Sequence, residues 1–112
     1  LHPAVLRIIR ETVRAAHTQG IPVAMCGEMA GEPIHTQLLI GMGIDSLSMN
    51  AVSLPRVKKI VRATRLADAQ QLAAAIGQFS TAWEVEEFVK NEMARRFPGL
   101  LERAAAVGPA SG

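Results

Sequence analysis

The sequence has a single cysteine, Cys26, among its 112 residues. That excludes an internal disulfide, and with it any argument from thiol pairing for an oxidising compartment. It has no apolar run approaching the roughly 20 residues that cross a bilayer, so no membrane-spanning segment is expected. It also lacks an excess of one charge: twelve Lys and Arg against ten Asp and Glu leave a formal +2. That is too little to argue for a nucleic-acid surface, and outside Arg56-Val57-Lys58-Lys59 the bases are scattered. The histidines His2, His17 and His35 share no Glu-x-x-His or His-x-x-x-His spacing, so no metal site built from them is expected. The start, Leu1-His2-Pro3, has neither an initiator Met nor a signal-peptide pattern, which reads as a piece of a longer cytoplasmic protein.

What is present is the balance of a packed chain, with 49% hydrophobic and 20% charged residues. At 12.0 kDa it is one domain at most, below the size of most complete α/β enzymes. Apolar residues Ala4, Val5, Ile8, Ile9, Val13 and Ala16 recur at helical spacing between Pro3 and His17, and Gly20 suits a C-terminal stop. Ile21 to Cys26 is a short apolar run between glycines, the pattern of a strand buried on both faces. Glu32-Pro33 opens a second apolar helix through Ile40, stopped by Gly41-Met42-Gly43, and Ile44 to Met49 reads as a second strand. Three more helices follow. The first is capped at Ser53 and carries Val57, Ile60 and Val61; the second runs from Leu66 to Gly77; the third opens with the capping-box pattern Thr81-Ala82-Trp83-Glu84 and runs to Phe97. Residues 1–100 are expected to form the structured part and residues 101–112, rich in Ala and Gly, a flexible tail.

Short strands separated by helices imply parallel βα units in an α/β fold. Two such strands leave unpaired backbone on both edges, so further strands are expected from the rest of a barrel, a doubly wound sheet or a partner chain. Within that frame Cys26 ends the first strand. The carboxyl end of a parallel strand is where ligands and catalytic groups collect. Gly27 and Gly31 would let the backbone turn or approach a ligand closely, and Glu28 could orient the loop. A free cysteine is also among the residues most often buried as a small hydrophobe, so position leaves a catalytic and a packing reading of Cys26 both open. Ser48 and Asn50 could reach the same mouth, although caps and turn hydrogen bonds are their more ordinary use. Asp45 reads as a turn residue. The methionines at 25, 29, 42 and 49 read as filler of core or interface, and the bases from Arg56 to Arg65 as a solvated helix face.

Several motifs in order, His2-Pro3-Ala4-Val5-Leu6-Arg7, Met25-Cys26-Gly27-Glu28-Met29-Ala30-Gly31, Leu38 to Asp45, Leu47-Ser48-Met49-Asn50-Ala51 and Pro55 to Ile60, resemble the C-terminal end of bacterial Enzyme I. Enzyme I is the phosphoenolpyruvate-protein phosphotransferase that starts the sugar phosphotransferase system. The resemblance runs from residue 1 to about residue 76 and is weaker after Gly77. Ser46 to Asn50 and Asp68 to Ala73 also resemble the nitrogen-related paralogue. The Cys-Gly-Glu core is more distantly similar to pyruvate phosphate dikinase and phosphoenolpyruvate synthase.

The resemblance implies that the α/β chain supplies the terminal strands and helices of a (β/α)8 TIM barrel, an incomplete barrel fragment with a helix-rich C-terminus. It implies phosphoenolpyruvate and Mg²⁺ as ligands, a phosphoacceptor histidine in another domain, the phosphocarrier HPr or its nitrogen-related counterpart as partner, and a homodimer. Cys26 matches the family cysteine that protonates the enolate left when the phosphoryl group departs, with Gly27 and Glu28 as its loop. A thiol suits that step, because an ordinary pKa of about 8.5 keeps it protonated at neutral pH yet acidic enough to release the proton. The Mg²⁺ ligands, phosphate-binding arginines and phosphohistidine of the family lie in segments outside this sequence, so the chain alone is expected to be inactive. Two other readings remain: a dikinase- or synthase-type relative, and a non-catalytic interaction or dimerisation module in which Cys26 is simply buried.

Overall fold

The computed structural model describes residues 1–99; the expected tail, residues 101–112, lies outside them. The first helix, α1, runs from Pro3 to Thr18, with the ring Nδ1 of His2 accepting the Ala4 N–H at 3.1 Å. It buries Leu6 and Val13, with Ile9 packed beside them. Val5 and Ile8, which the helical spacing had counted with the apolar stripe, are instead exposed. The helix stops on Gly20 (φ +70), whose N–H bonds to the His17 carbonyl while the Ile21 N–H reaches Ala16. This paired capping requires a left-handed residue, which glycine adopts at least cost.

The strands are shorter and less covered than expected. Strand β1 is Ala24–Cys26 and β2 is Ser46–Ser48, paired in parallel with Met25 opposite Leu47 and Cys26 opposite Ser48. Neither is buried on both faces. Successive side chains point to opposite sides of a sheet, and only the Met25 and Leu47 side packs on the core. Ala24, Cys26, Ser46 and Ser48 are exposed. The apolar run alone had suggested cover on both sides, but among the described residues nothing lies over that second face.

Between the strands the helix expected from Glu32-Pro33 to Ile40 is a 3-10 turn, Pro33–His35, running into α3, Thr36–Gly41, and a separate one-turn helix that was not expected, α2, Glu28–Gly31, precedes it. The division falls before Pro33. A proline disfavours the helical region in the residue preceding it, and Glu32 is extended at φ −87°, ψ 113°. Gly41 lies inside α3, and the stop is Gly43 (φ +95), with Gly43 N–H to Ile40 and Ile44 N–H to Leu39.

The last three helices are α4, Leu54–Ala63; α5, Leu66–Ala75, continued by a 3-10 turn to Gln78; and α6, Ala82–Arg96. Thr81 caps α6 as expected, its Oγ accepting the Glu84 N–H at 3.2 Å, while the Glu84 carboxylate closes onto the Thr81 hydroxyl at 2.8 Å and not onto the backbone N–H of the full capping box. The core is mainly helical, joining Leu38 and Leu39 of α3 to Ile60, Leu72, Val85, Val89 and Met93. The fold is thus α/β, with a small parallel sheet whose helices cover one face.

Candidate active site

Cys26 is the last residue of β1 and its thiol is exposed, so the buried-hydrophobe reading does not describe it among the described residues. Gly27 follows at φ +97°, ψ −167°, a conformation L side chains rarely adopt. A Cβ there would meet nothing within 4 Å, so the requirement at 27 is backbone freedom rather than space. This swing starts α2 at Glu28 and leaves the thiol at the mouth of the turn.

Because β1 and β2 are parallel and in register, the loops that follow them share one end of the sheet. Together they line a cleft of about 560 Å³. Cys26, Gly27, Glu28, Gly31 and Glu32 come from the first loop, and Ser48, Met49, Asn50 and Ser53 from the second. Ser48 and Asn50 do reach the mouth. Asn50 also makes the local bond expected of it, its Oδ1 accepting the Ser53 N–H at 2.9 Å. Ser53, read as a helix cap, makes no side-chain capping bond to α4; its backbone is already helical, φ −77°, ψ −26°, rather than the extended form of a capping residue. Glu32 and Ser53 were not anticipated as cleft residues. The available signal was the equal position of the two loops after parallel strands.

The other titratable candidates are scattered. His17 Nε2 meets Asp45 Oδ2 at 2.7 Å, and the same oxygen accepts the Val23 N–H at 2.7 Å. Asp45 therefore ties the end of α1 to the entrance of both strands, on the far side of the sheet from the cleft, more than the simple turn expected. His35 is largely buried, its Nε2 3.5 Å from the Glu86 carboxylate, too long for a good hydrogen bond. Burial pushes its pKa below the ordinary value, with Glu86 opposing. No three His, Cys, Asp or Glu converge among the described residues. The cleft carries only Glu28 and Glu32 as charged carboxylates among the described residues, which does not make a Mg²⁺ ligand set. No helix among the described residues is long and apolar enough to cross a membrane.

The carboxyl end of a parallel sheet, where Cys26 is followed by Gly27 beside a shared cleft, is the end at which α/β enzymes collect ligands and catalytic groups. The sequence profile of a family described as PEP-utilising enzyme, PEP-binding domain, matches residues 1–66, and the chain belongs to that family. Within it, the chain is similar to the phosphoenolpyruvate-protein phosphotransferase of Haemophilus influenzae, 42% identical over 80% of the chain, and to that of Haloferax volcanii, 52% identical over 78%. A protein of Escherichia coli named phosphoenolpyruvate-dependent phosphotransferase system is 42% identical over 103 residues, 92% of the chain. The resemblance to the C-terminal, phosphoenolpyruvate-binding part of Enzyme I is borne out, and it extends past Gly77, where it had been expected to fade. The chain spans only 16%, 15% and 14% of the length of these three relatives.

Proposed function

We propose that, in the complete protein, residues 1–100 close a (β/α)8 barrel of a phosphoenolpyruvate-protein phosphotransferase. The barrel binds phosphoenolpyruvate, its phosphoryl group passes to an enzyme histidine and on to HPr or its nitrogen-related counterpart, and pyruvate is released. Cys26 is the acid of the second half-reaction. When the phosphoryl group departs, an enolate remains. Its C3 takes the proton of the Cys26 thiol: the S–H bond breaks with its electron pair on sulfur, the C3–H bond forms, and the enolate oxygen becomes the ketone of pyruvate. Water entering the cleft returns a proton to the thiolate.

The observation that carries this reading is the exposed thiol at the carboxyl end of β1, opening on the cleft between the two loops. The uncovered sheet face of small residues supports the barrel. Inward-pointing residues of a barrel strand alternate with those that meet the helices, and Met25 and Leu47 meet helices here while Ala24, Cys26, Ser46 and Ser48 do not. Mg²⁺ belongs to this reading through the family, with ligands from segments outside these residues, as do a homodimeric state and a cytoplasmic location.

The test is Cys26→Ala in the full-length protein, with phosphoryl transfer from phosphoenolpyruvate to the phosphocarrier followed at steady state. Loss of a general acid costs roughly 10²- to 10⁴-fold in rate, with the melting temperature little changed because the side chain is exposed. A variant that keeps the wild-type rate rejects the assignment.

A further inference from the structure

Gly31 ends α2, five residues after Cys26, and its backbone is not left-handed. Its need for glycine is one of space. A Cβ at residue 31 would lie 3.3 Å from Met49 Cβ and 3.3 Å from Ser53 Oγ, tighter than most real Cβ contacts, and 3.4 Å from Ser53 Cβ, at the edge of ordinary contact. Met49 and Ser53 belong to the loop after β2, the strand that sets Ser48 beside Cys26. That loop is itself braced by the Asn50 bond to the Ser53 N–H. The bare Cα of Gly31 is therefore where the thiol-bearing loop rests directly on its neighbour, and all of these residues face the same cleft.

We propose that Gly31 is a positioning residue for Cys26: its missing side chain seats the α2 turn against Ser53 and Met49, and that seat fixes the thiol at the cleft. The role rests on the reading of Cys26 as proton donor. The turn is only four residues long, so it moves as a unit, and a methyl group at its end displaces the chain that begins at Gly27. Ala30 is fully buried and Met29 packs on the core, so the core holds the turn from one side and Gly31 sets its seat against the second loop on the other. Proton transfer to carbon is steep in donor position, since a misplacement of about 1 Å can cost on the order of 10²-fold. The few tenths of an ångström forced by Gly31→Ala thus correspond to a loss of roughly three- to tenfold, and Gly31→Val to more.

Three variants of the full-length protein test this: Gly31→Ala, Gly31→Val and the double variant Gly31→Ala with Ser53→Gly. Three quantities are read. They are kcat and KM for phosphoenolpyruvate, the facial purity of protonation at C3 when a 3-methyl analogue is turned over in D2O, and the rate of Cys26 alkylation by iodoacetamide. The expected result is a lower kcat with KM nearly unchanged, a racemising C3 and an altered alkylation rate in Gly31→Ala. Ser53→Gly is expected to restore part of each by removing two of the three atoms that a new Cβ meets, Met49 Cβ remaining. A role in stability alone would lower the melting temperature and leave facial purity intact. The proposal is overturned if Gly31→Ala keeps wild-type kcat, facial purity and alkylation rate, or if its losses are untouched by Ser53→Gly. Cys26→Ser in the same assays separates the two ideas: wild-type rate and facial purity there would remove the proton-donor reading, while the alkylation rates would still report whether Gly31 sets the thiol.

Discussion

The carboxylate of Asp45 takes the Val23 N–H and the His17 ring on one oxygen, and the Asp45 N–H returns to the Val23 carbonyl at 2.8 Å. A single side chain thus locks the register in which β2 begins beside β1. The Val23 N–H, then the His17 ring, hold its pKa below the ordinary carboxylate value. A folded-state pKa lower than the unfolded one means stability present above the unfolded value, near 4, and lost as pH falls through the folded value. Asp45→Ala is therefore expected to lower the melting temperature by a few degrees at pH 6, with the gap to wild type closing as the pH drops below about 4. The buried His35 ring, which resists protonation, makes both proteins lose stability below about pH 6.5 and so cancels in the difference. Melts of the two proteins across this range check it, and a gap that does not narrow in acid would contradict the assignment. The histidine and the aspartate stand far apart in sequence, and their meeting follows from the packing of α1 beside the sheet, which no local spacing encodes.

At the scale of elements, α3 and α5 meet through Gly41, where a Cβ would come within 1.9 Å of the Ala69 carbonyl oxygen and 3.1 Å of Ala73 Cβ. Gly to Ala inside a helix ordinarily helps by about 0.5–1 kcal/mol. Here the neighbour is backbone and cannot yield, so Gly41→Ala is expected to cost about 2–4 kcal/mol in urea unfolding. Gly77, where an added Cβ would meet nothing within 4 Å, provides the control: Gly77→Ala is expected to change stability by less than about 1 kcal/mol. Equal effects at the two sites would mean that the α3–α5 contact is looser than the structure has it. The longer helices were legible because 3.6-residue periodicity and end signals at Pro3, Gly20 and Thr81 agree. Three features were not. A one-turn helix such as α2 has too few residues to show a period. The stop of α3 falls within the expected Gly41-Met42-Gly43, but which glycine makes it was open, because close packing at Gly41 and left-handed geometry at Gly43 both ask for glycine and sequence does not say which applies. The apolar run before Cys26 suggested cover on both faces, although what covers a strand is a property of its neighbours.

At the scale of the whole molecule, the sheet has one covered face and, among the described residues, one open face, and the open face carries the thiol. The end of the sheet that holds the cleft and the exposed thiol was legible from the βα order and from the place of the Cys-Gly-Glu motif after the first strand. The seat of Gly31 on Ser53 was not, because it joins two loops separated by a helix and a strand. The charge of the cleft follows from the same arrangement. Among the described residues lining it, Glu28 and Glu32 are charged and neither a Lys nor an Arg is present. Phosphoenolpyruvate carries a phosphate and a carboxylate, so these side chains repel it, and two like charges about 6 Å apart cost on the order of 1–3 kcal/mol at the dielectric of a protein surface. Micromolar affinity requires roughly 8 kcal/mol of net binding free energy, and a cleft open along one side supplies neither cations nor enclosure toward it. The isolated 112 residues are therefore expected to give no saturable heat with phosphoenolpyruvate by calorimetry, up to millimolar ligand. A micromolar Kd would mean that the determinants of substrate binding lie within this segment, and it would overturn the division of labour in which Cys26 supplies the proton while other parts of the protein hold the anion.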